Sequence, residues 1–279
     1  MPNPNYALSW DAPADRLYEV GVDRVVLYKQ STDSTYPKGV AWNGVTTVTE
    51  SSSGAEETKL YADNIKYLSI RSAEEIGGTI EAYTYPDEWK ECDGRRSLAA
   101  GVEVSQQVRK SFGLAYRTTL GNDVEDNDYS YKIHLFYNLT AAPTERSYAT
   151  INDSPEAITF SWELASTPIT MPNGLKASSL LTINAAEADP EKLATLEQIL
   201  YGTAGEMQYV ETEDATPQAG KTYYTRSGSG TSESPYTYTE FTGSTFVEQT
   251  TYYEYKLVGA ADPRLPLPEE VYDIFATEG

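Results

Sequence analysis

One cysteine and one histidine, Cys92 and His134, are all that the 279 residues offer of the side chains that most often do redox or metal chemistry. A lone cysteine excludes an internal disulfide and a Cys-rich metal site. A lone histidine excludes the zinc motif with two histidines one helical turn apart, and any Ser-His-Asp or Cys-His relay would rest on that one residue. His134 lies inside a strand-like run with no nucleophile-elbow pattern beside it, and reads as a strand histidine whose hydrogen bonds are met. Cys92 lies on a short predicted helix without a partner in sequence. The expectation is a protein that is not an enzyme and that uses no cofactor or metal.

Positive charge is scarce as well. Lys and Arg number 21 against 42 Asp and Glu, a net charge of −21. Such a surface disfavours direct binding to nucleic-acid phosphate or to an anionic membrane, both of which call for an excess of Lys and Arg. No apolar run approaches the roughly 18 residues of a membrane helix. The first residues, MPNPNYALSWDAPADR, have neither the basic nor the apolar region of a secretory signal, which predicts synthesis in a reducing cytosol.

Three short patterns resemble sites and fall away on inspection. The loop Asn122–Asp128 clusters carboxylates but lacks the ligand register and central glycine of an EF-hand calcium loop, so it reads as an acidic hairpin tip. Gly228-Ser229-Gly230 has no strand–helix unit around it and no Lys-Ser/Thr after it, unlike a phosphate loop. Asn138-Leu139-Thr140 matches the glycosylation triplet without a secretion signal to give it meaning.

Tyrosine is abundant, at 23 residues, and Thr, Ser and Gly are plentiful, a mixture that favours strands and turns. Strand-like runs follow one another at 16–28, 40–50, 59–70, 79–85, 110–120, 129–139, 157–166 and 178–184. In 157–166 the alternation is clear: Ile158, Phe160, Trp162 and Leu164 point one way and Thr159, Ser161 and Glu163 the other. Two helices are predicted. A short one covers 86–94, with Pro86 at its start and Gly94 at its stop. The better one begins at the cap Asp189 and Pro190, carries Leu193, Leu196 and Leu200 as one stripe, and closes at Gly202.

Composition changes after Gly202. Residues 203–260 hold eight tyrosines and almost no Leu or Ile, and GKTYYTR (220–226) and QTTYYEY (249–255) read as two copies of one strand motif. This predicts a small, separate β module. Doublets such as Tyr223-Tyr224 and Tyr252-Tyr253 put one ring on each face of a strand, so these four rings are expected to serve chiefly as core. The chain leaves the module through a Pro-rich segment, 261–276, that ends in a helical turn.

The segment GVAWNGVTTVTESSSGAEETKLYADNIKYLSIRSAEEIGGTIEAYTYPDEWKECDG (39–94) resembles the major tail tube protein of long-tailed, non-contractile bacteriophages of Gram-positive bacteria. So do VSQQVRKSFGLAYRTTLGND (104–123), YATINDSPEAITFSWELASTPI (148–169), KLATLEQILYGT (192–203) and, at the end, PRLPLPEEV (263–271). The resemblance implies a mainly β fold: a β-sandwich or partly rolled barrel with a flanking α-helix. It divides the chain into a tube-type domain (1–203), an inserted Tyr-rich decoration module (204–260) and a C-terminal segment (261–279) that returns to the first domain. The implied function is structural: hexameric rings that stack into a virion tail tube, assembled in the host cytoplasm, through which DNA passes without specific binding. Implied partners are further copies of the chain and the tape-measure, tube-terminator and distal tail proteins, with no membrane. Closing strands across subunits would remove exposed sheet edges, and a negative wall would not grip phosphates.

Two long strand-like segments, 40–50 and 59–70, flank the polar stretch Ser51, Ser52, Ser53, Gly54, Ala55, Glu56 and Glu57. They read as an extended hairpin whose tip, 51–57, contacts the neighbouring ring, with Val45, Val48, Leu60 and Ile65 as apolar shoulders that need a partner. The alternative is a monomeric adhesin or carbohydrate-binding β protein, with the Tyr-rich module as binder.

Overall fold

The computed structural model describes residues 10, 13–54, 56–72, 74–151, 153 and 157–276. The protein is mainly β, with several antiparallel sheets and a few short helices. It divides into two compact units, Met1–Tyr201 with Asp262–Gly279, and Gly202–Ala261.

The first unit is built on strands β1 (Tyr18–Lys29), β2 (Gly39–Ala41), β3 (Val45–Gly54), β4 (Glu57–Ala62), β5 (Ile65–Arg71), β6 (Glu74–Ala82), β7 (Arg96–Ala99), β8 (Val102–Val104), β9 (Phe112–Asn122), β10 (Asp126–Ala141), β11 (Phe160–Ser166) and β12 (Leu180–Asn184). Helices α1 (Trp89–Cys92), α2 (Pro190–Tyr201) and α3 (Pro268–Phe275) complete it. Eight strands form one sheet in the order β2-β1-β9-β10-β11-β6-β3, with β12 added to β10. β4–β5 and β7–β8 are separate two-stranded ribbons.

The central strands are buried on both faces, which is why they read as apolar runs and only β11 alternates cleanly. Successive residues of β1 show the division. Val25 and Leu27 enter one core with Ile80, Leu114, Phe136 and Trp162, while Val26 and Tyr28 enter a second with Ile133, Leu135 and Tyr137. The far end of the sheet packs back on β1, so the sheet is rolled and the first core fills the roll. Trp42, Trp89 and Trp162 meet there, with ring centroids 4.6 to 5.6 Å apart.

Helix α2 covers the second core. Asp189 Oδ1 accepts from the backbone N–H groups of Glu191 (3.0 Å) and Lys192 (3.2 Å), which meets two of the helix's unpaired N-terminal donors. The stripe Leu193, Leu196 and Leu200 is buried, each residue contributing about 1.5–3 kcal/mol by leaving water. The C-terminal segment seals the same core: Leu265 and Val271 are buried in it, and Tyr137 Oη donates to Pro266 O at 3.0 Å.

The second unit is a four-stranded antiparallel sheet of β13 (Glu206–Glu211), β14 (Tyr223–Ser227), β15 (Thr237–Phe241) and β16 (Tyr252–Val258), in the order β13-β16-β14-β15. Aromatic rings pack on both of its faces. Tyr223, Phe241, Phe246 and Tyr252 cluster on one, and Tyr209, Tyr224, Tyr238, Tyr253 and Tyr255 on the other. Tyr223, Tyr252 and Tyr253 are buried and Tyr224 is half-buried. The unit begins and ends at one place: Thr203 and Ala261 exchange backbone hydrogen bonds of 3.0 and 3.2 Å.

Several sequence expectations differ from this structure. Residues 40–50 and 59–70 do not pair with each other. The first run splits between β2, on β1, and β3, on β6. The second folds back on itself as β4 and β5, because Asp63 and Asn64 both take positive φ (52° and 62°), the conformation of a two-residue hairpin turn of matching twist. The run 157–166 becomes a strand only from Phe160, with Ile158 outside it and exposed. The short helix starts at Trp89 rather than Pro86.

Candidate assembly surface

Strands β3 and β6 pair over their whole lengths, from Val45–Ala82 to Gly54–Glu74. The ladder then continues: Ser72 N donates to Glu56 O at 3.2 Å, and Glu57 pairs with Arg71 at the start of β4–β5. The β3–β6 edge of the large sheet and the β4–β5 ribbon thus form one long arm that turns at Asp63-Asn64.

This corrects the position of the tip. Ser51, Ser52, Ser53 and Gly54 lie along β3 opposite Gly77, Ile76, Glu75 and Glu74, and Glu56 and Glu57 lie at the junction of the two ribbons. All six are exposed, but they run along the arm rather than across its end; Ala55 is outside the described residues. A polar, Gly-containing stretch signals a turn in sequence, yet Gly54 still pairs with Glu74 and Glu57 with Arg71. The signal for the true turn was Asp63-Asn64 between KLYA and IKYL.

The arm's two halves have different surfaces. Val45 and Val48 pack against the core inside the roll, so these two shoulders already have a partner. Beyond Gly54 the opposite holds. Leu60, Tyr61, Ile65, Tyr67, Leu68 and Ile70 are all exposed, Ile65 at 65% and Tyr67 at 73%. Leu60 and Leu68 stand directly opposite each other, with Ile70 on the same face. β4 and β5 pack chiefly on one another, and an isolated two-stranded ribbon is marginal in water. A row of large apolar side chains thus lies uncovered on this ribbon, whose two outer edges pair with no other strand among the described residues.

A polar node sits inside the roll where the arm joins the body. Glu50, on β3, reaches His134, on β10, with Oε1 3.2 Å from Nδ1, and accepts a short hydrogen bond from Tyr116 Oη. His134 Nε2 lies 3.0 Å from Thr118 Oγ1, whose hydroxyl donates to Glu19 Oε1 at 2.5 Å. Lys132 Nζ donates to Glu19 Oε2 at 2.6 Å. The imidazole stacks on the Tyr116 ring, with centroids 4.8 Å apart and planes 3° apart.

Electrostatics follow from these contacts. The His134 hydrogen bond holds the Glu50 carboxyl below its usual range, against the opposing effect of burial and with help from Tyr116. Burial opposes ionisation of Glu19 too, but Lys132, Thr118 and His134 outweigh it and lower its pKa. Burial, then the hydrogen bond to Glu50 and its charge, raises the Tyr116 phenol. A hydroxyl, an imidazole and a carboxylate here have the composition of a hydrolytic relay. The Thr118 hydroxyl donates to Glu19, however, and His134 is only 7% exposed; together these contacts tie β1, β3, β9 and β10 to one another.

Cys92 is buried against the tryptophan cluster, and burial pushes its thiol up to about 12, far from a reactive thiolate. Among the described residues no group of three or more His, Cys, Asp or Glu side chains is arranged to hold a metal ion, and no helix is long and apolar enough to cross a membrane. In the second unit the rings occupy one another's faces: Tyr209 stacks on Tyr238 at 3.6 Å, and Tyr238 meets Tyr253 edge-on. No protein-family model matches the sequence, and no curated protein matches it.

Proposed function

We propose that this chain is a structural, self-assembling protein whose copies close into rings and stack as the tail tube of a long-tailed bacteriophage. The observation that carries the reading is the outer half of the arm, with six large apolar side chains exposed on a two-stranded ribbon. Covering such a surface favours a partner, and a tube supplies one in every ring through the next copy of the same chain. The contact belongs to residues 57–71 rather than to 51–57.

Two further features support the reading. The rolled, largely antiparallel sheet ends in edges at β2, β3 and β12, which intersubunit pairing would close. The net charge of −21 suits the wall of a conduit for DNA, since a negative wall does not hold phosphate. The segments at 39–94, 104–123, 148–169 and 263–271 that resemble tail tube proteins fall in the first unit. The Tyr-rich second unit, bounded by the Thr203–Ala261 pairing, has the form of an insertion, and on this reading it is a decoration. On this reading the protein does no chemistry, and its partners are other copies of itself and the proteins that measure, cap and end the tube.

Sedimentation velocity across a concentration series tests this. The wild-type chain is expected to form hexamers or longer polymers, and a Leu60→Ser/Leu68→Ser variant to stay smaller at every concentration. Equal behaviour of the two would remove the arm from the assembly.

A further inference from the structure

Three arginines from three separate loops meet in one open cavity of the first unit, of about 680 Å³. Arg95 follows α1, Arg109 precedes β9 and Arg146 follows β10. Their convergence depends on the backbone at Gly94, whose φ is +75°. A Cβ added there would sit 3.2 Å from Arg109 Cγ and 3.0 Å from Gln107 O, so a side chain would displace the Arg109 loop.

The lining side chains carry three positive charges, from Arg95, Arg109 and Arg146, and two negative charges, from Asp93 and Glu103, a balance of +1. That is a local reversal in a chain of net charge −21. Both carboxylates are already engaged. Asp93, whose side chain is 8% exposed, takes Arg95 Nε at 3.1 Å and a short contact from Arg146 Nη2. Glu103 takes Arg95 Nη1 at 3.1 Å and Lys90 Nζ at 2.6 Å.

Donors remain over. Among the described residues Arg95 Nη2 and Arg109 Nε are buried without an acceptor, and Arg109 Nη2 makes a 3.3 Å bond to the backbone O of Asp93. A buried guanidinium N–H left unmatched is costly, and the fork of a guanidinium fits the paired oxygens of a carboxylate or phosphate. An ion network built only for stability would match its donors to its carboxylates.

We propose that this cavity is an oxyanion site, in which the guanidiniums of Arg109 and Arg146 hold the oxygens of a carboxylate or phosphate group and Arg95, fixed by Asp93, Glu103 and Tyr85, adds its positive charge beside them. The group comes either from a small free anion or from an acidic side chain of a second copy. The second source is natural for a chain this acidic, because a homotypic contact needs basic pockets to receive its carboxylates.

The test titrates inorganic phosphate, and separately acetate, into the full-length chain by calorimetry, with chloride at matched ionic strength as the control. Saturable one-to-one binding of phosphate or acetate is expected. Arg109→Gln should weaken it by at least about tenfold, as loss of a charge-assisted bond does, and Arg226→Gln, in the other unit, should leave it unchanged. Thr144→Glu, which adds a carboxylate at the cavity's lining, should abolish binding while the thermal midpoint stays at or above wild type. This second variant keeps the test informative if Arg109→Gln fails to fold. Phosphate that also lowers self-association in sedimentation points to a second copy's carboxylate, and phosphate that binds without doing so points to a free anion. Absence of saturable binding, or equal affinity in wild type and Thr144→Glu, would overturn the site.

Discussion

Glu50 Oε1 lies 3.2 Å from His134 Nδ1, although β3 and β10 are separated by β6 and β11 in the hydrogen-bonding order of the sheet. The contact crosses the inside of the roll and ties the arm to the body. His134→Ala should therefore destabilise the protein by about 1–3 kcal/mol, because Glu50 and Tyr116 lose a buried partner. It should also let the Glu50 pKa rise toward its ordinary value of 4.5, since the histidine's hydrogen bond is the chief cause of its depression. Carboxyl-carbon NMR titration of both proteins reads this shift directly, and an unchanged Glu50 titration would contradict the brace.

The same carboxylates set an acid limit. Glu19 and Glu50 both have folded values below the ordinary 4.5, so the unfolded chain binds their protons more readily. Their contribution is complete above about pH 4.5 and is lost as pH falls through the folded values. Denaturant midpoints should decline with acid below that point, and less steeply in a Glu19→Gln/Glu50→Gln variant. Parallel decline in the two proteins would place the acid sensitivity elsewhere.

Much of the fold was legible in the sequence where one local rule acted alone. Helix α2 is such a case, because Asp189, Pro190 and the leucine stripe each act within the helix. The tyrosine doublets of the second unit are another, since alternation in a strand fixes which ring takes which face. The arm is ambiguous in sequence because two turn signals compete. The stretch 51–57 has turn composition, but Ser51–Gly54 pair with β6 and Glu56 and Glu57 with Ser72 and Arg71, partners some 14 to 26 residues on that local composition does not reveal. The β7–β8 ribbon leaves no strand signal in sequence, because Leu98, Val102 and Val104 are exposed and show no buried alternation. The Arg95–Arg109–Arg146 cavity had no signal at all, for its members come together only through tertiary folding.

Cys92 offers a reporter of the roll's integrity. It is buried in the core with Trp89 and its thiol is pushed up to about 12, so the folded protein should not react with an aromatic disulfide reagent at pH 8. Trp162→Ala should cost about 3–5 kcal/mol and make Cys92 reactive at lower denaturant. Prompt reaction in the wild-type protein would contradict the packing.

The second unit should be removable. Because Thr203 and Ala261 are hydrogen-bonded neighbours, replacing 204–260 by two or three glycines spans the gap without strain. The shortened chain should keep the first unit's cooperative unfolding, measured by circular dichroism, and should still assemble. A soluble, folded product that no longer assembles would make the module part of the contact rather than a decoration.

The central claim is that copies of this chain build a tube through the apolar half of the arm. Negative-stain electron microscopy of the purified protein at high concentration tests it most directly. Rings or tubes of uniform diameter in the wild type, and their loss in Leu60→Ser/Leu68→Ser, are the predicted result. Dispersed single particles of the wild-type protein at every concentration and salt condition would contradict it.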